Sequence, residues 1–300
     1  GGLRYDHPMR IRAAVSALIL VASIACPSLA EPDLAVPQMA DGEPAAGRRV
    51  RHQLPRYFDT QVYHALSLPT DWQPAGSRDG DARYPIIVEL AGNRYGPDKH
   101  GDVCTGTPEG CKLGYGISGG ERFIWICLPY VNAQEKRNQL TWWGDVDPTV
   151  DYCKRAVDMV CRDFGGDRSA VFLTGFSRGA IACGYIGLHD DEIASLWCGF
   201  IPHSHFDGVR DWGYADAVGQ PAVERLKRGA DQPWFVTHES SVAATRRYVQ
   251  RTLGDAADRF TFLSLPTPRH SDSWVLEDGP ERRQLRDWVR RVLLSGRDQQ

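Results

Sequence analysis

The sequence predicts an α/β domain with a mostly parallel central sheet and helices on both faces. Three observations predict it. From about Tyr57 onward, short apolar runs alternate with segments of helical periodicity, the order that a strand–helix–strand chain requires. Several of those runs are apolar throughout, as strands covered on both faces are. The chain has 300 residues, 42% hydrophobic and 24% charged, which is enough apolar material for one sizeable core.

Residues 1–30 read as an N-terminal extension and export signal. Arg10 and Arg12 precede the apolar run Ala13 to Ala25, and Ser28-Leu29-Ala30 supplies small residues for cleavage. Gly1 to Pro8 lie ahead of Met9 and are set aside from the fold. The run is shorter than the roughly 20 residues of a membrane span. The mature chain, starting near Glu31, is therefore expected to be secreted or periplasmic, without a membrane span. Cys26, in Ser23-Ile24-Ala25-Cys26, offers a competing lipoprotein-type site, against which Ser23 stands where Leu is usual. Residues 31–51 are rich in Pro, Ala and Gly and lack either periodicity, so they read as a flexible linker before a domain over 52–300.

Seven runs are expected as strands: Val62 to Leu68, Ile86 to Leu90, Phe123 to Leu128, Val171 to Thr174, Leu196 to Ile201, Trp234 to Val236 and Phe260 to Leu263. Helices are expected at Val150 to Phe164, Arg178 to Leu188 and Val242 to Leu253. A last helix should start at Asp278 as N-cap with Pro280 in its first turn, its apolar stripe formed by Leu285, Trp288, Val289, Val292 and Leu293.

Composition narrows the function. The formal net charge of −3 comes with no basic run, which argues against nucleic-acid and polybasic membrane binding. Seven cysteines follow Cys26: Cys104, Cys111, Cys127, Cys153, Cys161, Cys183 and Cys198. In an oxidising compartment Cys104 and Cys111, across a Gly/Pro-rich loop, are the pair expected to close, and the odd count leaves at least one thiol free. No Cys-x-x-Cys spacing occurs, so no cysteine metal site is expected.

The chemistry concentrates in Val171-Phe172-Leu173-Thr174-Gly175-Phe176-Ser177-Arg178-Gly179-Ala180, a strand running through Gly-x-Ser-x-Gly into a helix. A serine on so sharp a turn needs small neighbours on either side, and it presents its hydroxyl above the sheet edge beside the amides of a helix N-terminus. The bare pattern is weak in a chain with 30 glycines: Gly116-Ile117-Ser118-Gly119-Gly120 also fits. That copy leads into a strand from a Gly-rich loop, the wrong order. Ser177 is thus the candidate nucleophile.

Its base should lie late in the chain, after the acid. Of the histidines beyond Ser177, His270 alone follows the last expected strand, in the loop before the final helix. Two acids compete to orient it. Glu239 stands just past the strand Trp234 to Val236, and Asp207 follows Leu196 to Ile201 in His203-Ser204-His205-Phe206-Asp207. Asp272 and its neighbours are the remaining choices. Backbone N–H groups of Arg178 and Asn93, the latter in Leu90-Ala91-Gly92-Asn93, are the candidate oxyanion donors.

These residues carry a resemblance. Tyr63 to Leu68 with Pro69 and Trp72, Tyr84-Pro85 leading into Ile86-Ile87-Val88, Gly92, Gly175-Phe176-Ser177-Arg178-Gly179 and a late His270 occur in this order. The chain resembles the secreted single-domain esterases of the polyhydroxybutyrate-depolymerase and feruloyl-esterase type, within the α/β-hydrolase superfamily, over roughly residues 57 to 295. The resemblance implies the α/β-hydrolase fold and hydrolysis of small-molecule or polymeric carboxylic esters through an acyl-enzyme, with no cofactor. Two departures stand out. That family usually has His-Gly where this chain has Ala91-Gly92, and usually Asp where Glu239 is the candidate acid.

Three further features are weighed against packing or solvation. Trp142-Trp143 lies in the loop after Phe123 to Leu128, where it would line a substrate wall, one ring buried and one exposed. His203 and His205 share one face of a strand near Asp207, a metal-like spacing that needs no metal. Asp98, His100 and Asp102 read as a solvated loop, and no metal is expected there. A peptidase on the same fold, or an exported binding module without catalysis, remains the alternative.

Overall fold

The computed structural model describes residues 1–2, 32–74, 77 and 83–297. The export-signal reading and Cys26 lie outside them. Among the described residues the strands are β1 (Met39–Ala40), β2 (Arg49–His52), β3 (His64–Ser67), β4 (Tyr84–Leu90), β5 (Ile124–Leu128), β6 (Val131–Asn132), β7 (Arg137–Asn138), β8 (Gly166–Phe176), β9 (Gly199–His203), β10 (Trp234–His238) and β11 (Phe260–Ser264). The helices are α1 (Leu113–Ser118), α2 (Val146–Asp163), α3 (Arg178–Tyr185), α4 (Asp191–Ala194), α5 (Gln220–Arg228), α6 (Ala243–Leu253) and α7 (Pro280–Arg297).

Nine strands form one sheet in the order β1-β2-β3-β5-β4-β8-β9-β10-β11, and β6 with β7 makes a separate hairpin. β3 is antiparallel to β2 and β5, and the other sheet pairings are parallel. Side chains alternate between two cores. Val88, Leu173, Phe200 and Val236 face the core that covers α2, α3, α5 and α6, whereas Ile87, Phe172, Ile201 and Phe235 face the one packed by α1 and α7. From β4 the chain steps outward to β5 and then returns to place β8 on the other side of β4. The carboxyl ends of β4 and β8 therefore flank a reversal of strand order, where open α/β sheets bind ligands.

Each of the seven expected strands and four expected helices has a counterpart, with shifted ends. β9 begins at Gly199 instead of Leu196, because Leu196 and Trp197 still turn out of α4 through bonds to Ile193 and Ala194 carbonyls. Asp278 does not cap α7; it accepts from the Arg283 guanidinium at 2.7 Å. The linker reading of residues 31–51 is corrected. Residues 39–40 and 49–52 are sheet strands, Val50 is fully buried, and Arg282 holds Asp33 through two bonds of 2.9 and 2.7 Å. The expected Cys104–Cys111 disulfide is absent: all seven described cysteines are free. The two face different neighbours. Cys104 lies against Gly92, and Cys111 is buried beside Cys127 of β5. Among the described residues no helix is long and apolar enough to cross a membrane.

Candidate active site

Ser177 sits between β8 and α3 with φ 55° and ψ −113°, a left-handed conformation unfavourable for a side-chain-bearing residue. Its surroundings hold it there. The Ser177 N–H donates to the His203 carbonyl at 3.0 Å, and its own carbonyl accepts from Ala180 and Ile181 in the first turn of α3. The flanking glycines are steric requirements: a Cβ on Gly175 would come within 2.3 Å of the Gly179 backbone, and one on Gly179 within 1.8 Å of the Leu90 carbonyl oxygen.

His270 lies in the loop between β11 and α7, and its Nε2 is 3.1 Å from Ser177 Oγ. Its Nδ1 is 2.6 Å from Glu239 Oε1, which lies one residue beyond β10. Burial pushes the Glu239 pKa up, but the His270 hydrogen bond and its own backbone amide outweigh this and hold it at about 2, so the group is ionised at neutral pH. The structure thus brings Ser177, His270 and Glu239 into one hydrogen-bonded chain. Asp207 is elsewhere: its two oxygens bind Arg225 at 2.7 and 3.0 Å, and Tyr214 donates to it at 3.2 Å. Asp272 likewise faces away from the imidazole, accepting from Lys112 Nζ at 2.6 Å.

The amides of Arg178 and Asn93 have no acceptor among the described residues, as oxyanion donors require before substrate arrives. The Asn93 side chain is engaged, its Oδ1 accepting from the Trp142 N–H at 2.8 Å.

Four contacts that the sequence did not reveal fix the His270 loop. Tyr95 Oη donates to the His270 carbonyl at 2.8 Å. Arg269, immediately before His270, binds Asp102 through two bonds of 3.0 and 2.6 Å. His203 Nε2 donates to the Ser271 carbonyl at 3.0 Å, and Lys112 pairs with Asp272. Asp102, expected in a solvated loop, is therefore buried.

His203 and His205 do not converge on a metal-like pair. Ser204 between them has φ 86°, which turns the chain out of the strand geometry that would align them. His203 is buried, and desolvation lowers its pKa to about 4. His205 stacks on Trp212 at 4.8 Å and lies 5.2 Å from the His270 ring. Rings continue from Trp212 to Trp142 at 6.4 Å, making an aromatic wall that starts beside His270. Trp142 is partly exposed in that wall. Trp143 is buried and stacks on Tyr185 at 4.7 Å, so it serves packing. A cavity of about 650 Å³ opens at the opposite edge of the sheet, lined by Ser169, Cys198 and Trp288, and contains none of these groups.

No family model matches the chain, and no curated protein matches it. Solved structures do. One is a thermostable esterase, with TM-score 0.50 and 15% identity over 81% of this chain and 62% of that one. A second is the AtxE2 isopeptidase with Astexin3-dC4 bound, with TM-score 0.51 and 14% identity over 83% of this chain and 40% of that one. A third is FphF, a fluorophosphonate-binding serine hydrolase of Staphylococcus aureus, with TM-score 0.50 and 13% identity over 82% of this chain and 99% of that one. The chain spans less than two thirds of the first two. The likeness establishes the fold: a mostly parallel sheet of the α/β-hydrolase type.

Proposed function

We propose that this chain is an exported serine esterase that hydrolyses carboxylic esters through an acyl-enzyme on Ser177. One observation carries the reading: the unbroken hydrogen-bond chain from Ser177 Oγ through His270 to Glu239, at 3.1 and 2.6 Å, built on a strained strand-to-helix turn.

In the proposed reaction His270 Nε2 takes the Ser177 proton as Oγ attacks the ester carbonyl carbon. The carbonyl electron pair moves onto oxygen, whose negative charge meets the Arg178 and Asn93 amides. Glu239, ionised, stabilises the imidazolium and keeps its ring oriented. Collapse of the tetrahedral intermediate expels the alcohol, which receives the proton from His270. Water then repeats the sequence on the acyl-enzyme and releases the acid. Every step uses groups of this chain, and none calls for a cofactor.

The resemblance to polyhydroxybutyrate depolymerases and feruloyl esterases points to small-molecule or polymeric esters as substrates, with the acyl or alcohol part against Trp142 and Trp212. The test is turnover of a matched p-nitrophenyl ester and p-nitroanilide by the parent and by Ser177→Ala. The proposal expects the ester to be cleaved, the anilide to lag far behind, and Ser177→Ala to lose activity. Faster anilide cleavage would make the chain a peptidase, and activity retained in Ser177→Ala would remove Ser177 from the chemistry.

A further inference from the structure

Arg178 brings to the site a side chain that the proposed mechanism leaves unused. Its guanidinium is almost wholly buried, and among the described residues no carboxylate pairs with it. It donates instead to backbone carbonyls: Nε to Ala91 at 3.3 Å, Nη1 to Trp142 at 2.6 Å and Gln139 at 3.5 Å, and Nη2 to Gly92 at 2.7 Å and Gly106 at 3.2 Å. The Tyr130 ring lies 3.9 Å from its Cζ, and Tyr130 Oη also donates to the Ala91 carbonyl. Burial of an unpaired cation is costly, and its pKa is lowered by desolvation. A methylene-rich side chain would avoid that cost but strand the five carbonyls, so what the cation supplies here is a set of directed bonds to this backbone.

Peptide planarity gives those bonds a further effect. In a trans peptide the C=O and N–H point in opposite directions. Because the Gly92 carbonyl is drawn to Nη2, the Asn93 N–H on the same peptide points away from the guanidinium. The Ala91 carbonyl, bound by Nε and Tyr130 Oη, sets the Gly92 N–H in the same way. The cation also polarises these peptides, strengthening the N–H on the far side as a donor. The amide of Arg178 itself is the other expected donor.

We propose that the Arg178 side chain is a positioning residue that aims and polarises the amide of the Ala91–Asn93 loop, so that one residue governs both halves of the oxyanion hole. This rests on the serine-hydrolase reading. Its Nη1 bond to the Trp142 carbonyl ties the loop beneath the aromatic wall to the same cation.

The experiment compares the parent with Arg178→Met and Arg178→Lys. It measures kcat and KM on p-nitrophenyl acetate, and inhibition by a trifluoromethyl ketone, which forms an oxyanion on Ser177. Loss of a single oxyanion donor costs about 10²–10³ in kcat. Arg178→Met is expected to lose kcat on that scale with KM little changed, and its inhibition constant for the ketone should rise in proportion. Arg178→Lys, which keeps the charge but satisfies fewer carbonyls, should fall between. If Arg178→Met does not fold, Arg178→Lys carries the test. A folded variant with parental kcat, or with lower kcat but unchanged ketone affinity, overturns the proposal while leaving the hydrolase reading intact. A parent inert to both ester and ketone overturns the hydrolase reading, and this inference with it.

Discussion

Ser204 Oγ lies 3.0 Å from Glu239 Oε1, the same carboxylate oxygen that meets His270 Nδ1 at 2.6 Å. The hydroxyl is also 3.1 Å from His270 Nδ1 and 2.8 Å from His205 Nδ1. A second serine therefore braces the acid–base pair from the end of β9, and it does so at φ 86°.

Removing that brace should cost rate. A hydrogen bond to a charged group is worth about 1.5–3 kcal/mol, and 1.4 kcal/mol is about tenfold in rate. Ser204→Ala is expected to lower kcat by about 10- to 100-fold with KM little changed. Ser204→Gly should show the same kcat loss but equal or higher stability, because glycine accepts positive φ without strain. Steady-state kinetics with thermal melts checks both, and a parental kcat in Ser204→Ala would remove the brace from the account.

The two acids should separate cleanly. Replacing the orienting acid of a Ser-His-acid triad by its amide costs about 10⁴ in kcat, and Glu239→Gln is expected to approach that loss while folding normally. Asp207→Asn breaks a buried pair with Arg225, which costs on the order of 3 kcal/mol of stability, and should leave the kcat of the folded protein near parental. Denaturant titration and kinetics on both variants check this, and a reversed pattern would return Asp207 to the triad.

Much of this site was legible because its signals are local. The turn at Ser177 announces itself through a strand, two glycines and a helix in sequence, and Glu239 lies directly past its strand. His270 followed from chain order. The clamps on its loop were not legible, since Asp102 and Arg269 are 167 residues apart and Lys112 and Asp272 are 160 apart. Nothing near any of these residues encodes its partner. β1 and β2 are not legible in the sequence because β1 has only two residues and β2, Arg-Val-Arg-His, carries a single apolar residue. α5 is not legible in the sequence because it buries only Ala222, Arg225 and Leu226, which leaves little apolar stripe. The Cys104–Cys111 expectation failed for a related reason. Closeness along the chain does not fix direction, and Cys111 turns toward β5.

Acid should destabilise the fold in two steps. Burial lowers the pKa of His203 and His205 to about 4 and of His64 to about 3, against 6.5 in the open chain. Between pH 6.5 and 4 the unfolded chain thus binds more protons than the folded one, so stability falls as pH falls through that window. Glu239, at about 2 against an ordinary 4.5, adds a second loss between those values. His203→Gln retains an N–H for the Ser271 carbonyl but does not titrate. Its unfolding free energy should fall by about 2 kcal/mol less than the parent's between pH 6.5 and 4.5. Equal pH slopes in denaturant titrations would show that His203 is not held neutral by the fold.

The proposed chemistry requires an activated Ser177. The direct measurement is reaction of the folded protein with a fluorophosphonate probe, with the adduct located by peptide mass spectrometry and His270→Ala run in parallel. The hydrogen-bond chain to Glu239 predicts one adduct per molecule, on Ser177, and its loss in His270→Ala. No adduct in the parent, or an adduct on a different serine, would contradict it.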